Sequence, residues 1–166
     1  LLPDNLRRGN SLLIVATPTG SSLDPGNTPL DRATVIEQNT SLLNGFASAI
    51  ESAHAGFASY VHNRIKGGTS LAGYGASARS ISTLALAGLN NGELRYLCDK
   101  NQGLKGLYLP YSHLEIDTPD RVLTEPVDEL IVFSYGYMPE IEKDLQDYVT
   151  SGGVLTSLLS ILSGDV

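Results

Sequence analysis

Thr69-Ser70-Leu71-Ala72-Gly73-Tyr74-Gly75-Ala76-Ser77-Ala78-Arg79 is the stretch whose reading decides the fold. It follows the double glycine Gly67-Gly68, opens on residues that suit a strand, turns on glycines, and continues as a helix-forming segment to about Ala87. Strand, glycine turn and helix in that order begin a βαβ unit. Gly73 to Ala78 also fits the G-x-G-x-x-A pattern of a phosphate-binding turn. In that pattern Gly73 is expected to permit the sharp turn and Gly75 to let backbone N–H groups approach a phosphate, helped by the positive end of the helix. A corner that is purely architectural uses the same glycines, so that plainer reading stands beside the functional one.

Outward from this unit the pattern repeats. Leu94 to Cys98 is a second strand ending in Asp99, His113 to Asp117 a short third, Leu130 to Phe133 a fourth, and Val154-Leu155 the centre of a fifth. Between the last two, a helix begins at Pro139-Glu140, carries Ile141, Leu145, Tyr148 and Val149 on one face, and closes on Gly152-Gly153. Strands alternating with helices need crossover connections, so an α/β, Rossmann-like, doubly wound and mainly parallel sheet of about five strands is expected from about residue 66 onward. Upstream, Leu43, Phe46, Ile50, Ala53, Phe57 and Tyr60 recur at three or four residues, the stripe of a helix that starts near Thr28-Pro29-Leu30 and reaches about Ile65. Asn39-Thr40 and Gly45 leave two helices, broken near residue 40, as the alternative. Pro18 to Pro29 has the composition of a linker, and Ser11 to Thr17 reads as a buried strand of a preceding unit. The expected division is 1–29, the tail of a preceding domain with its linker, and 30–166, a helix plus the Rossmann-like domain.

The composition narrows the function. At 166 residues, 42% apolar and 17% charged, the chain suits one ordinary globular core. A net charge of −7 without a Lys/Arg cluster argues against nucleic acid as a partner. No apolar run is long enough for a membrane span, and no basic leader precedes an apolar stretch. The single cysteine, Cys98, excludes an intrachain disulfide or a thiolate zinc cluster, and a cytoplasmic location is the natural expectation. His54 and His62 lack partners at metal-ligand spacing, so no metal site is expected. Hydrolase elbows, metalloprotease helices and Walker-type turns do not occur.

The string at 73–79, then Asp99-Lys100-Asn101, Leu104 to Pro110, His113, and Tyr137-Met138-Pro139-Glu140-Ile141, resembles the C-terminal domain of C-methyltransferases that act on nucleotide-linked deoxysugars. The resemblance covers about residues 66 to 155, and Arg8 to Val15 is similar to the last strand of that family's middle domain. It implies a substrate-binding module for a nucleotide-sugar, preceded by an upstream methyltransferase domain of the same chain that binds S-adenosylmethionine. It implies no catalytic residue in this piece, because the family's catalytic groups lie upstream, and no cofactor bound within it. The pattern departs from the family at Arg79, where a lysine is usual, at Ser80-Ile81-Ser82 for Gly-Asn-Thr, at Tyr111-Ser112 for Gly-Thr, and at Tyr135-Gly136 for Trp-Asn. These positions follow strand ends and bear on which nucleotide or sugar is preferred.

The candidate substrate-binding residues are therefore Gly73, Tyr74, Gly75, Ala76, Ser77, Arg79, Asp99, Lys105, His113 and Tyr135. Asp99 stands where an acid commonly accepts hydrogen bonds from a ribose, and Arg79 or Lys105 is expected beside an anion held by the amides of 75–78. Each has a bland counterpart: a strand-ending acid, solvated loop cations, a structural histidine, a packing tyrosine. Cys98, inside an apolar strand, reads as a small buried group and not as a nucleophile. Two further readings stay open, an NAD(P)- or nucleotide-binding Rossmann domain of a dehydrogenase or sensor, and a domain with a vestigial cleft whose helix at 30–65 serves packing.

Overall fold

The computed structural model describes residues 32–166, together with Pro18 and Gly20. The strand expected at 11–17, the helix start near 28–30 and the boundary at 29/30 lie outside the described residues. The chain divides into two units, Leu1–Gly45 and Phe46–Val166. Helix α1 (Arg32–Lys66) is continuous through Asn39, Thr40 and Gly45, so the alternative of a break near residue 40 is not realised. One interior glycine costs a helix only about 1 kcal/mol, too little to interrupt 35 residues.

In the second unit five strands, β1 (Leu71–Tyr74), β2 (Leu97–Cys98), β3 (Ile116–Asp117), β4 (Glu129–Val132) and β5 (Val154–Ser157), pair in the order β3-β2-β1-β4-β5. Every pairing is parallel, which is the doubly wound arrangement expected. Side chains alternate across the pleat into two apolar layers. Leu71, Leu97, Ile131 and Phe133 pack with Phe57 and Val61 of α1, Leu84 of α2 (Ala78–Ala87), and Leu158 and Ile161 of α6 (Leu158–Ser163). Ala72, Tyr74, Cys98, Leu130 and Val132 pack instead with Val122 of α3 (Arg121–Thr124), Ile141 of α4 (Met138–Asp144), and Tyr148 of α5 (Gln146–Thr150). Among the described residues no helix is long and apolar enough to cross a membrane.

Three local expectations are corrected. The helix from Pro139 is divided at Leu145 into α4 and α5. The third strand is shorter than 113–117, because Tyr111 and His113 adopt positive φ (69° and 55°) and belong to a turn. There the chain doubles back: Gly106 N donates to Ile116 O (2.8 Å), Ile116 N to Leu107 O (2.8 Å), and Leu109 N to Leu114 O (2.8 Å). On α1, the stripe is packed only in part, since Phe57 is wholly buried while Leu43 and Phe46 are 65% and 59% exposed.

The last turns of α1 are tied to the sheet by a charge. Glu129, wholly buried at the start of β4, accepts from the Tyr60 hydroxyl (2.5 Å) and from Arg64 Nε (2.6 Å). Burial first, and then the bond to Glu129, raise the Tyr60 pKa above its ordinary value, so Tyr60 remains a donor.

Candidate functional site at the switch point

The strand order reverses between β1 and β4, and their carboxyl ends are where a doubly wound fold places its ligands. A cleft of about 340 Å³ opens there. Tyr74 lines it from the end of β1, Asp99 and Lys100 from the loop after β2, and Ser134 and Tyr137 from the segment after β4. Glu140 and Ile141 of α4 complete the wall.

The two glycines of the turn exchange the roles expected of them. Gly75 has φ +104°, and a Cβ there would overlap the Ser134 hydroxyl, so this residue takes the sharp turn. Gly73 lies within β1, where a Cβ would overlap Leu97 and approach Phe133 Cε2 to 2.9 Å. Its absence of side chain is a packing requirement between adjacent strands.

The amides of the turn are engaged from within the protein. Gly75 N donates to Cys98 O (2.7 Å), Ala76 N to Asp99 Oδ2 (2.7 Å), and Ser77 N to Ser80 Oγ (2.9 Å). Asp99 Oδ1 in turn accepts from Asn101 N (2.8 Å). The Asp99 carboxylate thus sits on the turn where an anion was expected, and a ligand phosphate there would have to displace it.

The cationic candidates also have partners. Arg79 Nη1 donates to Phe133 O (2.9 Å), and its guanidinium carbon lies 4.4 Å from the centroid of the Tyr135 ring. Arg79 and Tyr135 are brought together beside the turn and do not line the cleft. Lys105 Nζ pairs with Asp117 Oδ1 at 2.9 Å, and this lysine, followed by the Thr118 amide, holds the Asp117 carboxyl below its usual range. Lys100 pairs with Asp144. His113 stands apart from the rest. It occupies the turn that precedes β3, and Ser112 O beside it accepts from Asn91 N ahead of β2, which puts it at the amino edge of the parallel sheet.

Tyr74 is the residue whose chemistry is left open. It is only 4% exposed, yet its hydroxyl has no hydrogen-bond partner. Burial first, then the nearby Asp144 and Asp99 carboxylates, push its pKa up to about 12, so it is a neutral donor at any physiological pH. Burial likewise pushes the Cys98 thiol up to about 12, which leaves it protonated and unfit as a nucleophile. Ser134 carries no motif that marks it, while Tyr137 and Ile141 belong to the string that carries the family resemblance without being singled out as candidates; the signal shared by all three is position, since each follows β4 on the carboxyl side of the sheet. Among the described residues no three His, Cys, Asp or Glu side chains converge as a metal site would need.

The family model of the C-methyltransferase C-terminal domain matches residues 9–159. The C-methyltransferase NovU of Streptomyces niveus is 29% identical over 108 residues, which are 65% of this chain and 26% of that protein. The chain therefore matches about a quarter of NovU's length.

Proposed function

The chain belongs to the C-methyltransferase C-terminal domain family, and we propose that it holds the substrate, a nucleotide-linked sugar, for a C-methyltransferase that uses S-adenosylmethionine. S-adenosylmethionine, held by an upstream methyltransferase domain of the same protein, would supply the methyl group to a carbon beside a keto group after a base of that domain had taken that carbon's proton. The residues of this chain bind and orient. Holding a reactant in productive geometry contributes up to about 7–11 kcal/mol to a barrier, so a module remote from the reacting atoms still matters to the rate.

The observation that carries this reading is the switch-point cleft with the buried, unpartnered hydroxyl of Tyr74 in its lining. Asp99 and Ser134 present further polar groups beside it. Gly75 turns the chain, the Ala76 amide holds Asp99 and the Ser77 amide bonds Ser80, while Arg79 and Tyr135 stand at the flank of the turn. The dehydrogenase or sensor reading needs turn amides for a dinucleotide diphosphate, and those of Gly75, Ala76 and Ser77 bond within the protein. Titration calorimetry of the chain with dTDP-glucose, S-adenosylmethionine and NADH tests the proposal. Heat is expected for the nucleotide-sugar alone. Tight binding of S-adenosylmethionine, or methyl transfer by these 166 residues alone, would refute the division of labour.

A further inference from the structure

We propose that the cleft takes the neutral ring of the ligand, a pentose or hexose with free hydroxyls, with the Tyr74 hydroxyl donating to it and the Asp99 and Glu140 carboxylates accepting from it. Asp99 at the same time keeps a diphosphate off the glycine turn. The inference rests on the substrate reading above and says which part of that substrate enters.

Four observations converge on it. The Tyr74 hydroxyl is buried in the cleft lining without a partner, and folded proteins rarely leave such a donor unsatisfied unless a ligand or water completes it. The lining carries the carboxylates Asp99 and Glu140, whereas its cation, Lys100, is already paired with Asp144. Such a wall repels a diphosphate and welcomes hydroxyl donors, because an ionised carboxylate accepts only. Both Asp99 oxygens accept backbone amides, which fixes the carboxylate in place and still leaves each oxygen a lone pair. Finally, Tyr137, 67% exposed, lines the cleft with Ile141 and offers an apolar ring face for the C–H side of a sugar.

Calorimetry and ligand-observed NMR on the whole chain test this with methyl glucoside, uridine, dTDP-glucose and inorganic pyrophosphate. Methyl glucoside binding identifies a hexose as the ring, and uridine binding a pentose. Tyr74→Phe, which removes only an oxygen, should weaken the ring compound that binds by about tenfold, the loss of one good hydrogen bond. Pyrophosphate should not bind the natural chain. Asp99→Ala should let it bind at least about tenfold better, and Asp99→Asn, which disturbs the loop less, should move in the same direction. The inference is overturned if neither ring compound binds, if Tyr74→Phe binds it unchanged, or if pyrophosphate binds the natural chain as well as the Asp99 variants. Ring binding that depends on Tyr74, with no nucleotide-sugar bound, would sink the substrate reading and leave this inference standing. Binding of dTDP-glucose that ignores Tyr74→Phe would do the reverse.

Discussion

Replacing Gly75 by alanine probes the corner on which the cleft is built. The residue sits at φ +104°, a conformation that L side chains rarely adopt and that costs about 1–3 kcal/mol. The added Cβ would also overlap the Ser134 hydroxyl and lie 3.0 Å from Ser134 Cβ and 3.1 Å from its backbone nitrogen. Overpacking of this kind costs about 1–3 kcal/mol, so Gly75→Ala should lose about 2–6 kcal/mol, against a net stability of about 5–15 kcal/mol for ordinary domains. The two contributions separate in a double-mutant cycle with Ser134→Gly, which removes the hydroxyl and Cβ but not the backbone nitrogen. In that background the alanine should cost only about 1–3 kcal/mol, mostly from the backbone conformation. Urea denaturation followed by circular dichroism suits the measurement, because the chain has no tryptophan. A loss below about 1 kcal/mol would refute the role given to Gly75, and equal losses in both backgrounds would refute the close approach of Ser134.

Other consequences are equally open to measurement. Glu129→Ala should cost about 2 kcal/mol in a denaturant titration, less than for a wholly buried pair because the Arg64 side chain is 41% exposed, and Glu129→Gln should cost less again. Tyr74→Phe should stabilise the ligand-free chain by about 1 kcal/mol, since it removes an unsatisfied buried hydroxyl; a clear destabilisation would mean that the hydroxyl has a partner. Tyr74 and Tyr148 are both pushed up to about 12, chiefly by burial, and Tyr60 and Tyr96 are raised as well. A pKa raised on folding gives stability that is complete below the unfolded value, near 10, and is lost as pH rises through the folded value. The denaturation midpoint should therefore fall between about pH 10 and 12, with phenolate absorbance appearing together with unfolding. Cys98 should resist a thiol reagent at pH 8 until urea unfolds the chain, and rapid labelling of the native protein would contradict its burial.

Much of the architecture is legible in local pattern. Alternation of short apolar runs with helical stretches is enough to call for a parallel sheet, because parallel neighbours require crossovers, and the five parallel strands follow. What escapes local reading depends on partners distant in sequence. The role of Gly73 is decided by Leu97 and Phe133, which reach it from the flanking strands. The acid at the end of β2 is visible as a candidate, but that it would bind the Ala76 amide while still lining the cleft is a matter of loop geometry. His113 carries a family resemblance and a strand-like context, yet it precedes β3, which in a parallel sheet sets it at the amino edge, away from the carboxyl ends that form the cleft. Charged candidates are the hardest to read, because Lys105 and Arg79 each find a protein acceptor that no spacing rule reveals.

The doubling back at 106–116 has a consequence for how this chain behaves among other copies. An open strand edge is a template on which a foreign strand adds, and the two ends of a five-stranded sheet are where that hazard lies. On the β3 side the hazard is removed internally: Ile116 exchanges backbone bonds with Gly106 and Leu107 on its outer side, while Glu115 and Asp117 accept from β2 and its flank on the inner side. Among the described residues the short β5, with Val154 47% exposed, is the other border of the sheet. Misassembly of concentrated protein by strand addition should thus nucleate at β5, and a lysine at Val154 should suppress it while a change at Tyr108 should not.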